Sequence, residues 1–286
     1  MKNLIYFIEF LLVKFLFLIF GLIGFKASSN LGFFIGRFIG PLFKSKSSII
    51  KNLNKTKIFN NQESKKIASI VLGNYGRIFG EYVHLKNFRN NKLTKYISIK
   101  GLQYLEQIKR EKKKVIFVSG HFNNFEIMAM QIEKYGIDLA AIYRPLNNIY
   151  LNKTMERIRK NIICKKQIKK GIAGSRKIIE NYKKGSSIAL MIDQRVREGI
   201  KVPFFGRFAS TTTIPAQLFK KYGCEVVPIY IERKNQHYFK ITVSKPIKFN
   251  KNEDRYTITL SLNKILEKMI QKNPEQWIWT HDRWKS

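Results

Sequence analysis

Val115-Ile116-Phe117-Val118-Ser119-Gly120-His121-Phe122-Asn123-Asn124-Phe125-Glu126 holds the turn on which the architecture depends. Val115 to Val118, apolar and partly β-branched, reads as a buried strand, and Ser119-Gly120 ends it. Asn123 or Asn124 can cap a following helix, predicted over Phe125 to Tyr135. His121 then stands at the carboxyl end of a core strand, where open α/β sheets bind their ligands. A neutral imidazole can take a proton from a hydroxyl as that hydroxyl attacks a carbonyl, and a nearby carboxylate can fix its tautomer. Glu126 can serve only if His121 lies in the turn and Glu126 in the first helical turn. Alone, so short a motif reads better as an exposed histidine beside an ordinary first-turn acid.

Outward from this stretch, strands and helices alternate. Strands are predicted at Ile97 to Ile99, Leu139 to Tyr143 and Ser187 to Ile192, with helices at Leu102 to Arg110, Tyr150 to Lys160 and Ser175 to Lys183. Ile214 to Tyr222 is a helix with Pro215 near its start and Gly223 past its end. Val226 to Ile231 and Tyr238 to Val243 form a hairpin, and Tyr256 to Gln271 a last long helix. Toward the N-terminus, Gln62 to Leu85 has helical periodicity and Asn61 can cap it. The pattern predicts an α/β fold: a mostly parallel central sheet flanked by helices, with an N-terminal membrane-associated helix. The division is a hydrophobic membrane segment over 1–45 and an α/β domain over 46–286. In a parallel sheet, His121, Arg144 and Asp193 all fall at the carboxyl edge. An arginine there can hold a phosphate or an acid, or stabilise an oxyanion.

Leu4 to Gly24 is almost wholly apolar and long enough to cross a bilayer, though Glu9 and Lys14 interrupt it. A spanning helix and one lying in the interface both fit. Leu31 to Phe43 reads as a second membrane-proximal helix or a core helix, and Phe33, Phe34, Phe38 and Phe43 either help form an acyl-chain groove or simply face the membrane. Basic residues follow the first segment and only Lys2 precedes it, which puts the body in the cytoplasm. The whole chain carries 54 Lys and Arg against 19 Asp and Glu, a net charge of +35. That excess attracts polyanions: nucleic acid, anionic lipid, phosphorylated substrates or an acidic carrier protein. Two cysteines and four scattered histidines supply no zinc-site spacing. Gly171 to Lys177 lacks the spacing and ending of a phosphate loop.

The pieces that make the chain specific are Gly120 to Glu126; Tyr143-Arg144-Pro145-Leu146-Asn147-Asn148; Asp193-Gln194 with Val202-Pro203-Phe204-Phe205-Gly206; Thr213-Ile214-Pro215; Gly223 to Pro228; and Pro274 to Trp284. In this order they resemble the bacterial lipid A biosynthesis late acyltransferases of the lauroyl/myristoyl type. That family sits within the wider lysophospholipid and glycerolipid acyltransferase group, many of whose members carry Asp where this chain has Glu126. The resemblance covers nearly the whole chain. It implies transfer of a fatty acyl group from acyl carrier protein to a hydroxyl of a lipid A precursor, at the cytoplasmic face of the bacterial inner membrane.

By the same resemblance His121 is the general base and Glu126 its partner, and Arg144, Asp193, Gln194 and Asn124 are expected on the substrate side. A thioester is already activated, so no metal or organic cofactor is expected. Cys164 and Cys224 have no visible base partner and are poor nucleophiles. The expected partners are acyl carrier protein, a lipid A precursor or other glycolipid acceptor, and anionic membrane lipid; a coenzyme A donor stays open. His281 is not expected to be catalytic, and the tryptophan-rich C-terminus is either a clamp on the core or a substrate contact. The rival readings are an acyltransferase for another glycolipid or lysophospholipid, a membrane-tethered basic nucleic-acid-binding protein, and a degenerate scaffold. Nucleic acid is not expected, because the basic residues are spread along the chain and no reader motif is present.

Overall fold

The computed structural model describes residues 2–43 and 45–285; the Phe43 side chain lies outside what it describes. Helices come first: α1 Lys2–Phe38, α2 Gly40–Phe43, α3 Lys46–Lys55, α4 Asn61–Glu81 and α5 Leu85–Arg89. Alternation follows: β1 Ile97–Lys100, α6 Leu102–Arg110, β2 Ile116–Ser119, α7 Glu126–Lys134, β3 Leu139–Tyr143, α8 Ile149–Ile158, β4 Lys166–Lys169, α9 Ile172–Lys183 and β5 Ser187–Met191. The chain finishes with β6 Ile200–Phe204, β7 Arg207–Thr211, α10 Ile214–Tyr222, β8 Val226–Lys234, β9 Tyr238–Val243 and α11 Arg255–Lys272.

The seven-stranded sheet runs β1-β9-β8-β2-β5-β3-β4. Every neighbouring pair is parallel except the β8–β9 hairpin. This is the expected mostly parallel α/β sheet flanked by helices. β2 lies at its centre and all four of its residues are buried, as a strand covered on both faces requires. Two elements escape periodicity: β4, whose Lys-Gln-Ile-Lys carries a single apolar residue, and the separate β6–β7 hairpin. α4 is capped by Asn60, not Asn61, in a reciprocal capping box with Glu63.

The two predicted N-terminal helices are one element, α1, kinked at Gly24 (φ 79°, ψ 168°). Its second half crosses α4 at glycines. A Cβ on Gly76 would stand 1.8 Å from the Gly32 carbonyl oxygen, and one on Gly36 2.3 Å from that of Leu72. Only bare backbones pack this closely. Below the crossing Phe25 is buried against Phe88 and Tyr96, so this half of α1 contributes to the core. The first half lies along the domain. Phe17 and Phe20 meet Phe79, and near the other end Asn148 Nδ2 donates to the Tyr6 carbonyl (2.8 Å) and to Glu9 (2.9 Å). Glu9, which interrupts the apolar run, is therefore a docking point. The opposite side of this helix, with Leu4, Ile8, Leu11, Phe15, Leu18 and Leu22, is exposed. Phe34 and Phe38 are exposed as well.

Candidate active site

Parallel pairing of β2 with β5 aligns Ser119 with Met191. Two residues further on, both strands have ended and His121 and Asp193 face each other. His121 Nδ1 stands 2.8 Å from Asp193 Oδ1. The His121 backbone N–H donates to Asp193 Oδ2 at 2.6 Å, and the Trp277 indole donates to the same oxygen at 2.8 Å. Asp193 is fully buried and the His121 side chain is 20% exposed, so the pair presents only the imidazole. Burial by itself would raise the Asp193 pKa. The His121 charge and the three hydrogen bonds reverse this and hold the carboxyl below its ordinary value. Because the carboxylate accepts at Nδ1, the neutral ring carries its proton there and leaves Nε2 free to accept one. Gly120 permits the approach: a Cβ there would lie 2.9 Å from Phe122 and Leu266 atoms and 3.1 Å from Asp193 Oδ2.

The hydrogen-bond partner of His121 Nδ1 is thus Asp193, while Glu126, the expected partner of His121, lines the same cavity and is bound by other groups. Glu126 opens α7, and its Oε1 is taken by Arg159 through Nε (2.8 Å) and Nη2 (2.7 Å), with the Tyr82 hydroxyl donating at 3.3 Å. Arg159 starts a π-helical turn, Arg159–Ile163, directly after α8, and its guanidinium lies over the Tyr143 ring. Burial pulls the Arg159 pKa down, but Glu126 and Tyr82 together more than offset it and the net direction is up. A carboxylate so engaged ties α7 to α8.

The other expected residues divide. Arg144 and Gln194 line the same cavity as His121. Asn124 does not: it is wholly buried and its Nδ2 donates to Glu81 (3.3 Å), itself held by Arg233. Asn123 bonds Gln276 instead of capping α7, whose start has no side-chain cap. Both asparagines brace the turn behind His121. Asp193 is sealed from the cavity and acts on His121 rather than on a substrate. Sequence reasoning also missed Arg159, one more arginine in a basic helix, and Trp277, one of three C-terminal tryptophans. The C-terminal segment clamps the core with buried Trp277, Trp279 and Arg283, and its His281 also lines the cavity.

The cavity measures about 550 Å³. Its inner wall is apolar, with Phe117, Met128, Ala129, Ile132, Ala141 and Ile163. Its polar lining includes His121, Glu126, Arg144, Arg159, Lys170 and His281. Phe34 and Phe38 are not part of it and are exposed, as the membrane-facing alternative has them; the cavity lies between α7 and the sheet. Cys164 is buried, its thiol donating to the Leu139 carbonyl and pushed up to about 12 by burial. Among the described residues no group of three or more His, Cys, Asp or Glu side chains could hold a metal ion. Taken together, the site offers a tautomer-locked base, nearby cations and an apolar pocket, which suit deprotonation of an alcohol beside an acyl chain.

The family model for bacterial lipid A biosynthesis acyltransferases matches residues 1–286. A lipid A biosynthesis lauroyltransferase of Escherichia coli (strain K12) is 27% identical over 69% of this chain and 64% of its own length, so the match spans less than two thirds of that enzyme. A lipid A biosynthesis palmitoleoyltransferase of the same organism is 26% identical over 90% of this chain and 84% of its own. Among solved structures, the 1-acyl-sn-glycerophosphate acyltransferase PlsC from Thermotoga maritima is 13% identical, with a TM-score of 0.42, covering 88% of this chain and 98% of that one.

Proposed function

The chain belongs to the bacterial lipid A biosynthesis acyltransferases, and on that footing we propose that it moves a fatty acyl group from acyl carrier protein to a hydroxyl of a lipid A precursor. The observation that carries this reading is the His121 imidazole, fixed by buried Asp193 and open to an apolar-walled cavity. His121 Nε2 takes the proton of the acceptor hydroxyl as its oxygen attacks the thioester carbonyl. Asp193 positions the ring and stabilises the imidazolium. The tetrahedral intermediate collapses, the carbon–sulfur bond breaks, and the imidazolium returns the proton to the leaving thiolate. The acyl chain lies in the pocket against Phe117, Met128 and Ile132. Arg144 and Lys170 in the polar lining suit a phosphate on donor or acceptor. Direct transfer fits the burial of both cysteines.

The same reading puts the enzyme at the inner membrane with its catalytic domain on the cytoplasmic face, held there by α1 and by attraction of its basic surface to anionic lipid. The first half of α1 is proposed to lie in the leaflet. From Tyr6 to Phe20 is about 21 Å of helix at 1.5 Å per residue, and both ends of that span touch the domain. Standing upright, the helix would drag α8, with exposed Lys153 and Arg157, into hydrocarbon at several kcal/mol per charge. Lying flat, it buries Leu4, Leu11, Phe15 and Leu22 in lipid and brings exposed Leu146 and Ile149 beside the cavity to the same surface.

The test is acyl transfer from purified acyl-carrier-protein thioesters to a lipid A precursor in detergent, with wild type and His121→Ala. Wild type should form product, and the variant should lose roughly 10²–10⁴-fold in kcat/KM. Wild-type transfer only to another lipid would remove the acceptor assignment. Transfer only from coenzyme A thioesters would remove the donor. No thioester consumption with any lipid would overturn the reaction class.

A further inference from the structure

The cavity contains a second histidine that the steps above leave idle. His281 lines the same cavity as His121 and Gln194. Its Nε2 stands 3.0 Å from the Arg195 backbone nitrogen. A backbone N–H can only donate, so Nε2 is the acceptor and the ring proton sits on Nδ1. With its one lone pair occupied, the ring can act toward a ligand only as a donor. Nδ1 has no hydrogen-bond partner among the described residues and is not among their buried unpartnered atoms, so it has access to solvent.

The ring is also neutral and held in place. Burial, helped by the charges of Arg283, His121 and Lys170, keeps His281 below the ordinary histidine value against the opposing pull of Asp193. Asn52 donates to the carbonyls of Trp279 (2.9 Å) and His281 (3.3 Å). Asp282 pairs with Lys55 at 2.7 Å. Arg283 donates to the Ser210 carbonyl (2.7 Å) and to Thr211 Oγ1 (2.6 Å). A fixed, neutral donor with one free N–H is what a developing oxyanion requires, because nothing need reorganise when the charge appears.

We infer that His281 donates its Nδ1–H to the oxyanion formed on the thioester carbonyl. The inference rests on the acyl-transfer reading. As the acceptor oxygen bonds to the carbonyl carbon and its proton passes to His121 Nε2, the carbonyl electrons move onto oxygen, and the His281 Nδ1–H donates a hydrogen bond to the resulting oxyanion. When the carbon–sulfur bond breaks the carbonyl reforms, the His121 proton goes to the thiolate, and His281 finishes as it began.

The two nitrogens of His281 can be tested apart. In His281→Asn the amide group sits near the position of Nδ1 and can supply the donor, but nothing reaches Arg195. In His281→Gln the amide oxygen can reach the Arg195 N–H, but the Nδ1 donor is gone. The steady-state kcat of both and of His281→Ala is measured in detergent with acyl-carrier-protein thioester and lipid A precursor. The unfolding midpoint of each variant is recorded alongside. Loss of one oxyanion donor costs about 10²–10³ in kcat; the Gln and Ala variants should fall by that much with KM little changed, and Asn should retain at least ten times more than Gln. A ring that merely braces the Arg195 loop predicts the reverse order. Gln equal to or above Asn, or Ala within about threefold of wild type, overturns the inference. Independently of activity, ¹⁵N NMR of the resting protein should show His281 as the Nδ1–H tautomer, and an Nε2–H tautomer also overturns it. If wild type transfers no acyl group while the ring is Nδ1–H, the acyl-transfer reading has failed, and the inference with it.

Discussion

Asp193→Asn isolates the contribution of the buried carboxylate with little change of shape. Oδ2 accepts from two donors that cannot reverse, the His121 backbone N–H and the Trp277 indole N–H. The amide oxygen of Asn must take that place, which turns its NH₂ toward His121 Nδ1. Nδ1 then has to accept, and the ring proton moves to Nε2, the atom that should be bare to receive the acceptor's proton. The same tautomer inversion in a serine-protease triad lowers kcat about 10⁴-fold, or roughly 5.4 kcal/mol at 1.36 kcal/mol per tenfold. The fold should survive, since both Oδ2 bonds persist. Asp193→Ala, by contrast, strands two buried N–H donors at about 1–3 kcal/mol each. The pH dependence has a definite sign. The folded-state pKa of Asp193 is depressed, so its contribution to stability is present above the unfolded value of about 3.9 and is lost as pH falls through the folded value. Denaturant midpoints of wild type and Asp193→Asn should therefore differ at pH 7, and the gap should begin to narrow only below about pH 4 and go on closing as pH falls through the lower folded value. The assay is kcat/KM for acyl transfer at pH 7 with unfolding curves between pH 3 and 7. A variant keeping more than a tenth of wild-type activity, or a stability gap that narrows already well above pH 4, would refute this account of the dyad.

Glu126→Gln leaves the Arg159 guanidinium buried against a neutral amide; it should lower stability by up to about 3 kcal/mol, the low end for breaking a buried pair, and activity by about tenfold. An activity loss equal to that of Asp193→Asn would return the role of histidine partner to Glu126. Ala129→Phe should shorten the apolar pocket, and competition between acyl thioesters of different length should shift toward the shorter chain; an unchanged ratio would place the acyl chain elsewhere. Replacing Cys164 and Cys224 together by Ala should leave turnover within about threefold, and wild type should resist iodoacetamide at pH 7, because burial holds the Cys164 thiol up at about 12 and raises that of Cys224 as well.

Much of the fold was legible because its strands are short apolar runs between turn residues. Leu139–Tyr143 and Ile214–Tyr222 carry enough periodicity and punctuation to be bounded from sequence. β4 and the β6–β7 hairpin were not legible. One carries a single buried apolar residue, and the other begins Ile-Lys-Val-Pro-Phe, with a proline inside an edge strand. The kinked continuity of α1 was hidden because Gly24 reads as a break and the crossing glycines as mere small residues. What makes them necessary is the α4 backbone beneath them, forty residues away in sequence.

The site shows why sequence spacing pairs His121 with Glu126 while the hydrogen-bond partner of its ring is Asp193. Sequence proximity favours Glu126, five positions from His121 and on the next helix. Strand order favours Asp193, 72 positions away, because β2 neighbours β5 and not β3. Local spacing says nothing about which strand lies alongside which. Once that adjacency exists, the Ser119–Met191 register delivers His121 and Asp193 to the same height with no further choice. Glu126, on the helical side of the turn, is left to meet Arg159 across from α7. The two carboxylates thus have distinct duties. The dry one, closed in by Trp277, can hold a tautomer, since no water competes for its hydrogen bonds. The one bordering the cavity can neutralise an arginine beside the pocket while remaining near enough to sense what enters it.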